Sequence, residues 1–405
     1  MISEPQSTRP LLSLPLFRPN LDVTFKGWQG GAIYIQNLVR ILSHLDEAER
    51  PSIIVLTDGE IDTPIIRTLF AEAAVGGVLK PSGYPMALKP HLLKALLDEK
   101  GQPSQAATTY LLSRVTTTFP VFRTMLNWPF GLHWIPDFQH KHLPGMFDAA
   151  ELQRRDDDFM TMAYGRKYLL LSSQSALNDL RMFYPGAKAK TFVWSFTSSL
   201  NAALAATADP RPQFNLPEKY LFAPNQFWKH KDHRTLFEAV GLLNQRGLKV
   251  TLACTGNSVD FRHPAYFAEL QAFVQSSGLQ ERIKFLGTVP HDTLLQLIRF
   301  AAGVVQPSLF EGWSTVVEDA KALGRPMILS DLDVHREQAI PEVPFTFYPR
   351  GNAAALADVI AAQWEQLSAG PAPAQEAKAA LAHAARTKQS AKDFLSILNQ
   401  IRTGA

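Results

Sequence analysis

Short apolar, β-branched runs alternate with amphipathic helical patterns along nearly the whole chain, and that alternation leaves few folds open. It is the mark of parallel sheets covered by helices, an α/β architecture. In the second half, Tyr220–Ala223, Val250–Cys254, Ile283–Leu286, Gly303–Gln306 and Pro326–Leu329 read as strands. Helices at Arg234–Leu243, Tyr266–Gln275, Leu294–Phe300, Thr315–Leu323 and Ala353–Trp364 separate them. The first half is less regular, with strands expected at Ser52–Leu56, Leu132–Ile135, Tyr168–Leu171 and Phe192–Trp194 and helices at Tyr34–Leu45, His91–Asp98 and Ser175–Phe183. A chain of 405 residues is too long for one ordinary core. The expected division is residues 1–212, residues 213–386 and a final segment 387–405, whose helix at about Lys388–Ile401 crosses back to the first domain. The Ala- and Pro-rich stretch Ala202–Pro217 reads as the linker.

Composition narrows the function classes. Forty basic residues against 37 acidic ones give a net charge of +3, unlike the marked basic excess of a nucleic-acid binder. The single cysteine, Cys254, excludes an intrachain disulfide framework and reads as a small buried strand residue, in keeping with a reducing compartment. The N-terminal residues lack a charged-then-apolar layout, and no run reaches the ~20 apolar residues of a membrane-spanning helix. These features lead to the expectation of a cytoplasmic protein, with peripheral attachment at the inner face of the plasma membrane left open. The apolar stretch Phe119–Trp134, which contains Arg123, reads first as core and second as a bilayer contact.

The densest site signal runs from Ser308 to Gln338. A strand ends near Gln306, a loop carries Glu311 and Gly312, and a helix opens at Ser314–Thr315. Free backbone N–H groups at a helix start, beside the positive end of its dipole, suit an anion such as a diphosphate. An ordinary helix cap would use the same residues. On that helix Val316, Val317, Ala320 and Leu323 form one apolar stripe, with Asp319 at its edge and Glu318 nearly opposite. Periodicity therefore makes Asp319 the inward acid and Glu318 a solubilising one. A second loop, Ala223–His233, crowds Lys229, His230, Lys231 and His233 at another strand end, either as the charge that a diphosphate leaving group needs or as a solvated basic loop.

The segment Phe310-Glu311-Gly312-Trp313 through Gly324 resembles the signature of the family-4 retaining glycosyltransferases of the GT-B fold. In that signature a loop glutamate is followed, seven residues later, by a second glutamate on the next helix. The chain has Asp319 at the second position, which keeps the charge on a shorter arm. The resemblance implies that Glu311 contacts donor-sugar hydroxyls and that Asp319 holds the ribose. It also implies that the backbone of Gly312, Trp313, Ser314 and Thr315 holds the diphosphate. Lys231 matches the family's phosphate lysine. Asn225 and Gln226 stand where the family has Gly-Arg; Asn tolerates unusual backbone angles, and Lys229 is the nearest substitute for the missing arginine charge. Thr255-Gly256-Asn257 closes one strand, and the Leu286–Val289 loop, with Val289, falls where relatives hold the base.

In the first half, Gly27 to Ala32 leads toward a helix expected from Tyr34, and Gly30 and Gly31 look like the glycine loop that lies over donor or acceptor. Trp134–Pro144 brings Asp137, His140 and His142 into one loop. No cysteine or third ordered ligand accompanies them, so no metal site is expected. By resemblance Asp137 is the family's acid near the transferred sugar, and His140 the polar group by the reaction centre. A plain loop-structuring role remains the alternative for both.

The resemblance thus implies two Rossmann-like domains facing each other across a cleft, donor on the second and acceptor on the first. The implied enzyme is a metal-independent, retaining hexosyltransferase that uses a UDP- or GDP-sugar as substrate and needs no cofactor. Its acceptor would be a saccharide or lipid-linked saccharide in cell-surface polysaccharide or lipopolysaccharide synthesis. A GT-B sugar-nucleotide epimerase or hydrolase, and a non-catalytic GT-B subunit, are the rival readings. The absence of a Gly-x-Gly-x-x-Gly between strand and helix speaks against a dehydrogenase.

Overall fold

The computed structural model describes residues 9–15, 29–56, 75–79, 85–88, 115–121, 131–198 and 208–404. The helix expected at His91–Asp98, Arg123, Gly27 and residues 202–207 of the expected linker lie outside these. The first half contributes strands β1 (Leu11–Pro15), β2 (Ser52–Leu56), β3 (Val75–Leu79), β4 (Pro85–Leu88), β5 (Thr117–Val121), β6 (Gly131–Ile135), β7 (Tyr168–Leu171) and β8 (Lys190–Val193). They form one eight-stranded sheet of order β4-β3-β2-β1-β5-β6-β7-β8, parallel except where β4 runs antiparallel to β3. Its described helices are α1 (Gln29–Leu42), α2 (Gln139–His142), α3 (Ala149–Gly165) and α4 (Gln174–Phe183). Asp148 and Ser173 start α3 and α4 by accepting from the N–H groups of Glu151 and Ala176.

The second half forms a six-stranded, wholly parallel sheet. It comprises β9 (Leu221–Pro224), β10 (Leu252–Thr255), β11 (Ile283–Phe285), β12 (Gly303–Gln306), β13 (Met327–Ser330) and β14 (Phe345–Tyr348), ordered β11-β10-β9-β12-β13-β14. Numbered within this half the order is 3-2-1-4-5-6, the Rossmann arrangement, so the chain reverses direction across the sheet between β9 and β12. Strands β9, β10, β12 and β13 are buried throughout, which is why they read as apolar runs without alternation. The helices are α5 (His233–Gln245), α6 (Tyr266–Ser276), α7 (His291–Phe300), α8 (Thr315–Ala322), α9 (Asp333–Gln338), α10 (Ala353–Gln363) and α11 (Pro373–Thr403). Sequence periodicity missed β14 and α9 and, in the first half, β1, β3, β4, β5, α2 and α3.

Helix α11 begins fifteen residues earlier than its periodicity suggested, at Pro373, where a proline costs no helical hydrogen bond. It packs on α8 of the second half and on α1 and β5 of the first. Phe394 is fully buried against Phe119 and Trp194, with ring centroids 5.5 Å and 4.9 Å away. Burying such a ring contributes roughly 2–3 kcal/mol. The Trp194 indole N–H donates to the Ser390 carbonyl at 2.9 Å. The last helix is therefore part of the first half's core. Among the described residues, no helix is long and apolar enough to cross a membrane. Cys254 is buried, and burial pushes its thiol pKa up.

Candidate functional site

In an open parallel sheet, ligands bind beyond the carboxyl ends of the strands that flank the reversal. Here those strands are β9 and β12. Their loops carry Asn225 to Lys231 and Phe310 to Ser314, and both line a cavity of about 1280 Å³. The facing wall comes from the first half: Tyr34, Asn37 and Arg40 on α1, then Trp134, Asp137 and Gln139.

Glu311 sits in the wall of this cavity, 7% exposed, with one oxygen heavily engaged. Its Oε1 accepts from Lys231 Nζ at 2.6 Å, Ser308 Oγ at 2.6 Å and Gln306 Nε2 at 2.7 Å. Gln306 in turn accepts from Asn225 Nδ2 at 2.8 Å, so side chains tie the two loops together. Burial alone would raise the Glu311 carboxyl, but the adjacent Lys231 charge overrides it and holds the group at about 2. His230 and His335 also surround it, yet burial lowers both of their pKa values, so at neutral pH they are uncharged. Lys231 is the decisive cation.

Three residues after Glu311, Ser314 caps α8, its Oγ accepting from Val317 N–H at 3.4 Å. The expectation that Ser314's own N–H holds a phosphate is corrected: it donates to Gln338 Oε1 at 3.2 Å, and Gln338 Nε2 returns a bond to Ser314 O at 3.0 Å. Among the described hydrogen bonds none uses the N–H of Gly312, Trp313, Thr315 or Val316, and all four residues line the cavity. These are the amides left for an anion. Trp313 lines the cavity too, while its indole donates across the cleft to Phe196 O at 2.9 Å.

Asp319 faces the cavity. Its Oδ1 accepts from Ser198 Oγ of the first half, and its Oδ2 lies 3.6 Å from His291 Nε2. The assignment of Glu318 to solvent is wrong. It is 1% exposed and accepts from Lys321 Nζ at 2.7 Å and Gln338 Nε2 at 2.9 Å. One apolar stripe is a poor guide here because α8 is covered on more than one side, by α7, α9 and α11.

Gly312 fits where the two halves touch. A Cβ there would come within 2.5 Å of Pro136 O and 2.7 Å of Asp137 Cβ. Asp137 lines the cavity at this contact, and its Oδ1 accepts from Gln139 N–H at 3.0 Å. Gly256 has φ +148° and would clash with Asn225 O at 2.2 Å, so the loop after β10 presses on the lysine loop. Thr288 and Val289 line the same cavity.

Other expected residues lie elsewhere. His140 is buried and lines no part of the cavity. Its Nε2 meets Asp156 Oδ1 at 3.1 Å, a carboxylate also bound by Lys141 and Tyr184, and burial lowers its pKa. It braces α2 against α3. Lys229 is exposed and does not line the cavity; the β9 loop turns outward there, with Lys229 N–H donating to Asp260 at 2.9 Å. Asn225 keeps an ordinary negative φ, so its role is the amide bond to Gln306. Gly30 and Gly31 lie in the first turn of α1, which starts at Gln29 instead of near Tyr34. His142 bonds Asp179 at 2.8 Å and stacks on Phe310 at 5.1 Å. Among the described residues no cluster of three or more His, Cys, Asp or Glu is placed to hold a metal ion.

Sequence reading missed Ser198, His291, Gln306 and Glu337. Glu337 caps α4 from the opposite half, its oxygens accepting from Gln174 N–H at 2.7 Å and Ser175 N–H at 3.1 Å. Only a fold places these residues together; none carries a local motif.

Residues 206–379 match the family described as glycosyl transferases group 1. A putative glycosyltransferase of Bacillus subtilis, EpsF, is 29% identical over 106 residues, 26% of each chain. The chain thus aligns with about a quarter of that curated relative's length. Among solved structures, a Rickettsia africae glycosyltransferase superposes with TM-score 0.63 at 14% identity, covering 98% of this chain and 100% of that one. Anabaena HepE, crystallised with UDP and glucose, superposes with TM-score 0.61 at 17% identity, covering 96% and 100%. The fold is GT-B.

Proposed function

We propose that the protein is a retaining glycosyltransferase that moves a hexosyl unit from a UDP- or GDP-sugar to a hydroxyl of a saccharide or lipid-linked saccharide. The observation that carries this reading is the Lys231–Glu311 pair, 2.6 Å apart, joining the two loops at the sheet's reversal in the wall of one cavity. A family-4 membership, with its loop acid and helix acid, is the finer part of the same reading.

In this scheme Lys231 and the Thr315 and Val316 amides receive the diphosphate, where negative charge grows as the glycosidic bond breaks. Glu311 Oε1 is held by its three donors, which leaves Oε2 to accept from donor-sugar hydroxyls. Thr288 and Val289 face the base, and Asp319 the ribose. The bond from C1 to the phosphate oxygen breaks with its electron pair passing to phosphate. The acceptor oxygen then bonds C1 on the same face, and its proton passes to that departing phosphate oxygen. No protein nucleophile is required. Lys231 and the helix amides supply the charge a divalent ion would otherwise bring, so turnover should survive a chelator. The contacts at Gly312–Asp137, Trp313–Phe196 and Ser198–Asp319 keep the halves closed over the sugar, excluding water that would hydrolyse the donor.

The setting proposed with it is cell-surface polysaccharide or lipopolysaccharide assembly. A thermal-shift panel of UDP-, GDP-, ADP- and dTDP-sugars tests the donor reading. Stabilisation by one base class, weakened in Asp319→Ala, is expected. Equal indifference to all four would sink it.

A further inference from the structure

From the geometry around the second acid we infer that His291 and Asp319 together hold the vicinal ribose hydroxyls of the donor, with Ser198 fixing the carboxylate from the opposite half. This rests on the reading of the cleft as a sugar-nucleotide site and names a residue that reading did not include.

Asp319 is tied to the protein through one of its oxygens. Its Oδ1 is taken by the Ser198 hydroxyl, which reaches it from the segment after β8. Both side chains are largely buried, so that bond is not a chance surface contact. Oδ2 accepts no hydrogen bond among the described residues and stands beside His291. A ribose presents two neighbouring hydroxyls, each able to donate one hydrogen bond and accept others. A carboxylate only accepts, so a hydroxyl that donates to Asp319 still needs a donor for its own oxygen.

His291 supplies the second partner. It opens α7, lines the cavity, and its Nε2 stands 3.6 Å from Oδ2. That separation exceeds a good N–H···O bond, yet it lets one hydroxyl lie within bonding distance of both atoms, or two hydroxyls face one atom each. The complementarity is chemical as well: the carboxylate only accepts, whereas an imidazole Nε2–H donates. Asp319 is the main influence that raises the His291 pKa, against burial and the Arg40 charge from α1, with Asp292 on its own helix adding to the rise. The proton on Nε2 is thereby favoured.

Thr288 and Val289, just before His291 in the chain, and Thr315 and Val316, one turn before Asp319 on α8, line the same cavity. His291 is 43% exposed on its side chain, so replacing it leaves no buried hole.

Isothermal titration with UDP, 2′-deoxy-UDP and 3′-deoxy-UDP, and the GDP counterparts, tests this on wild type, His291→Ala, His291→Gln and Asp319→Asn. Wild type should favour the ribonucleotide about 10-fold over at least one deoxy analogue, the usual consequence of an unmet polar group. His291→Ala should remove most of that preference while leaving affinity for the deoxy analogue unchanged, and His291→Gln should restore part of it. Equal affinity of wild type for ribo- and deoxynucleotides, or full discrimination in His291→Ala, overturns the assignment. If wild type binds neither UDP nor GDP, the sugar-nucleotide reading itself falls. A melting temperature for each variant separates these outcomes from misfolding.

Discussion

Replacing Lys231 by methionine keeps most of the side chain's volume and removes its charge, which isolates the electrostatics of the pair with Glu311. Glu311 sits at about 2 where an unperturbed glutamate has 4.5. At ~1.4 kcal/mol per pH unit, that difference corresponds to about 3 kcal/mol favouring the ionised form in the folded protein. The side chain is almost fully buried, so solvent screening takes little away. That figure is a net of all the surroundings of Glu311, burial opposing and Lys231 leading the charges that favour ionisation, and removing one partner of a buried pair costs about 3–5 kcal/mol. Lys231→Met should therefore lose about 3 kcal/mol at pH 7 in denaturant unfolding. The double variant Lys231→Met/Glu311→Gln should recover most of it, since no charge is then stranded.

The pH dependence gives a second reading of the same term. The depressed wild-type value means that the ion pair's stability is present above the unfolded pKa and is lost as pH falls through about 2. In Lys231→Met nothing opposes burial, so Glu311 takes up its proton at a higher pH than in wild type. The stability gap should narrow as pH falls through that higher value. A gap below about 0.5 kcal/mol at pH 7, or one flat between pH 4 and 7, would refute the reasoning, given the size expected of a stranded buried charge.

Gly312→Ala places a methyl group 2.5 Å from Pro136 O, so the cleft contact must open; a loss of about 1–3 kcal/mol and a fall in kcat/KM should follow, whereas normal turnover would show the contact to be dispensable. Glu337→Gln removes a charged cap from Gln174 and Ser175, costing about 1 kcal/mol and speeding hydrogen exchange at those two amides; unchanged exchange would count against an interdomain clasp. Asp232 starts α5 at φ +51°, and burial raises its carboxyl to about 6. A raised carboxyl stabilises the fold at low pH and loses that benefit as pH rises through about 6. Asp232→Asn, tolerant of the same backbone angle, should thus gain about 1 kcal/mol at pH 8 and little at pH 4; a gain independent of pH would point to the backbone alone.

Four of the six strands of the second half are buried throughout and its helices carry apolar stripes, signals that survive in sequence, whereas the partly buried β14 left no such run. The strand order and its reversal point come from the fold; that Lys231 and Glu311 serve one ligand was implied by the family resemblance. What failed did so where burial was not one-sided. Glu318 looks solvent-facing on a helical wheel, but α8 is enclosed, and the charge is met by Lys321 three residues on. That spacing was visible and could have warned of a buried pair. His140 looked chemical because it shares a loop with Asp137; α2 rotates it into a network with Asp156 instead.

The harder gap is long range. Ser198 meets Asp319 across 121 residues, and Glu337 meets Gln174 across 163. No periodicity records such pairs, because each side chain is locally ordinary. They fall where one half touches the other, so they are also the contacts that opening and closing of the cleft would make and break. A ligand that binds between the halves gains from contacts on both walls only when they are closed, and favours that state by its differential affinity. Asp319 joins the two effects in one carboxylate: Oδ1 bonded to the first half, Oδ2 facing the cavity beside His291. Substituting Ser198 should therefore weaken nucleotide binding without touching the nucleotide. A Ser198→Ala protein with wild-type UDP and GDP affinity would break that link.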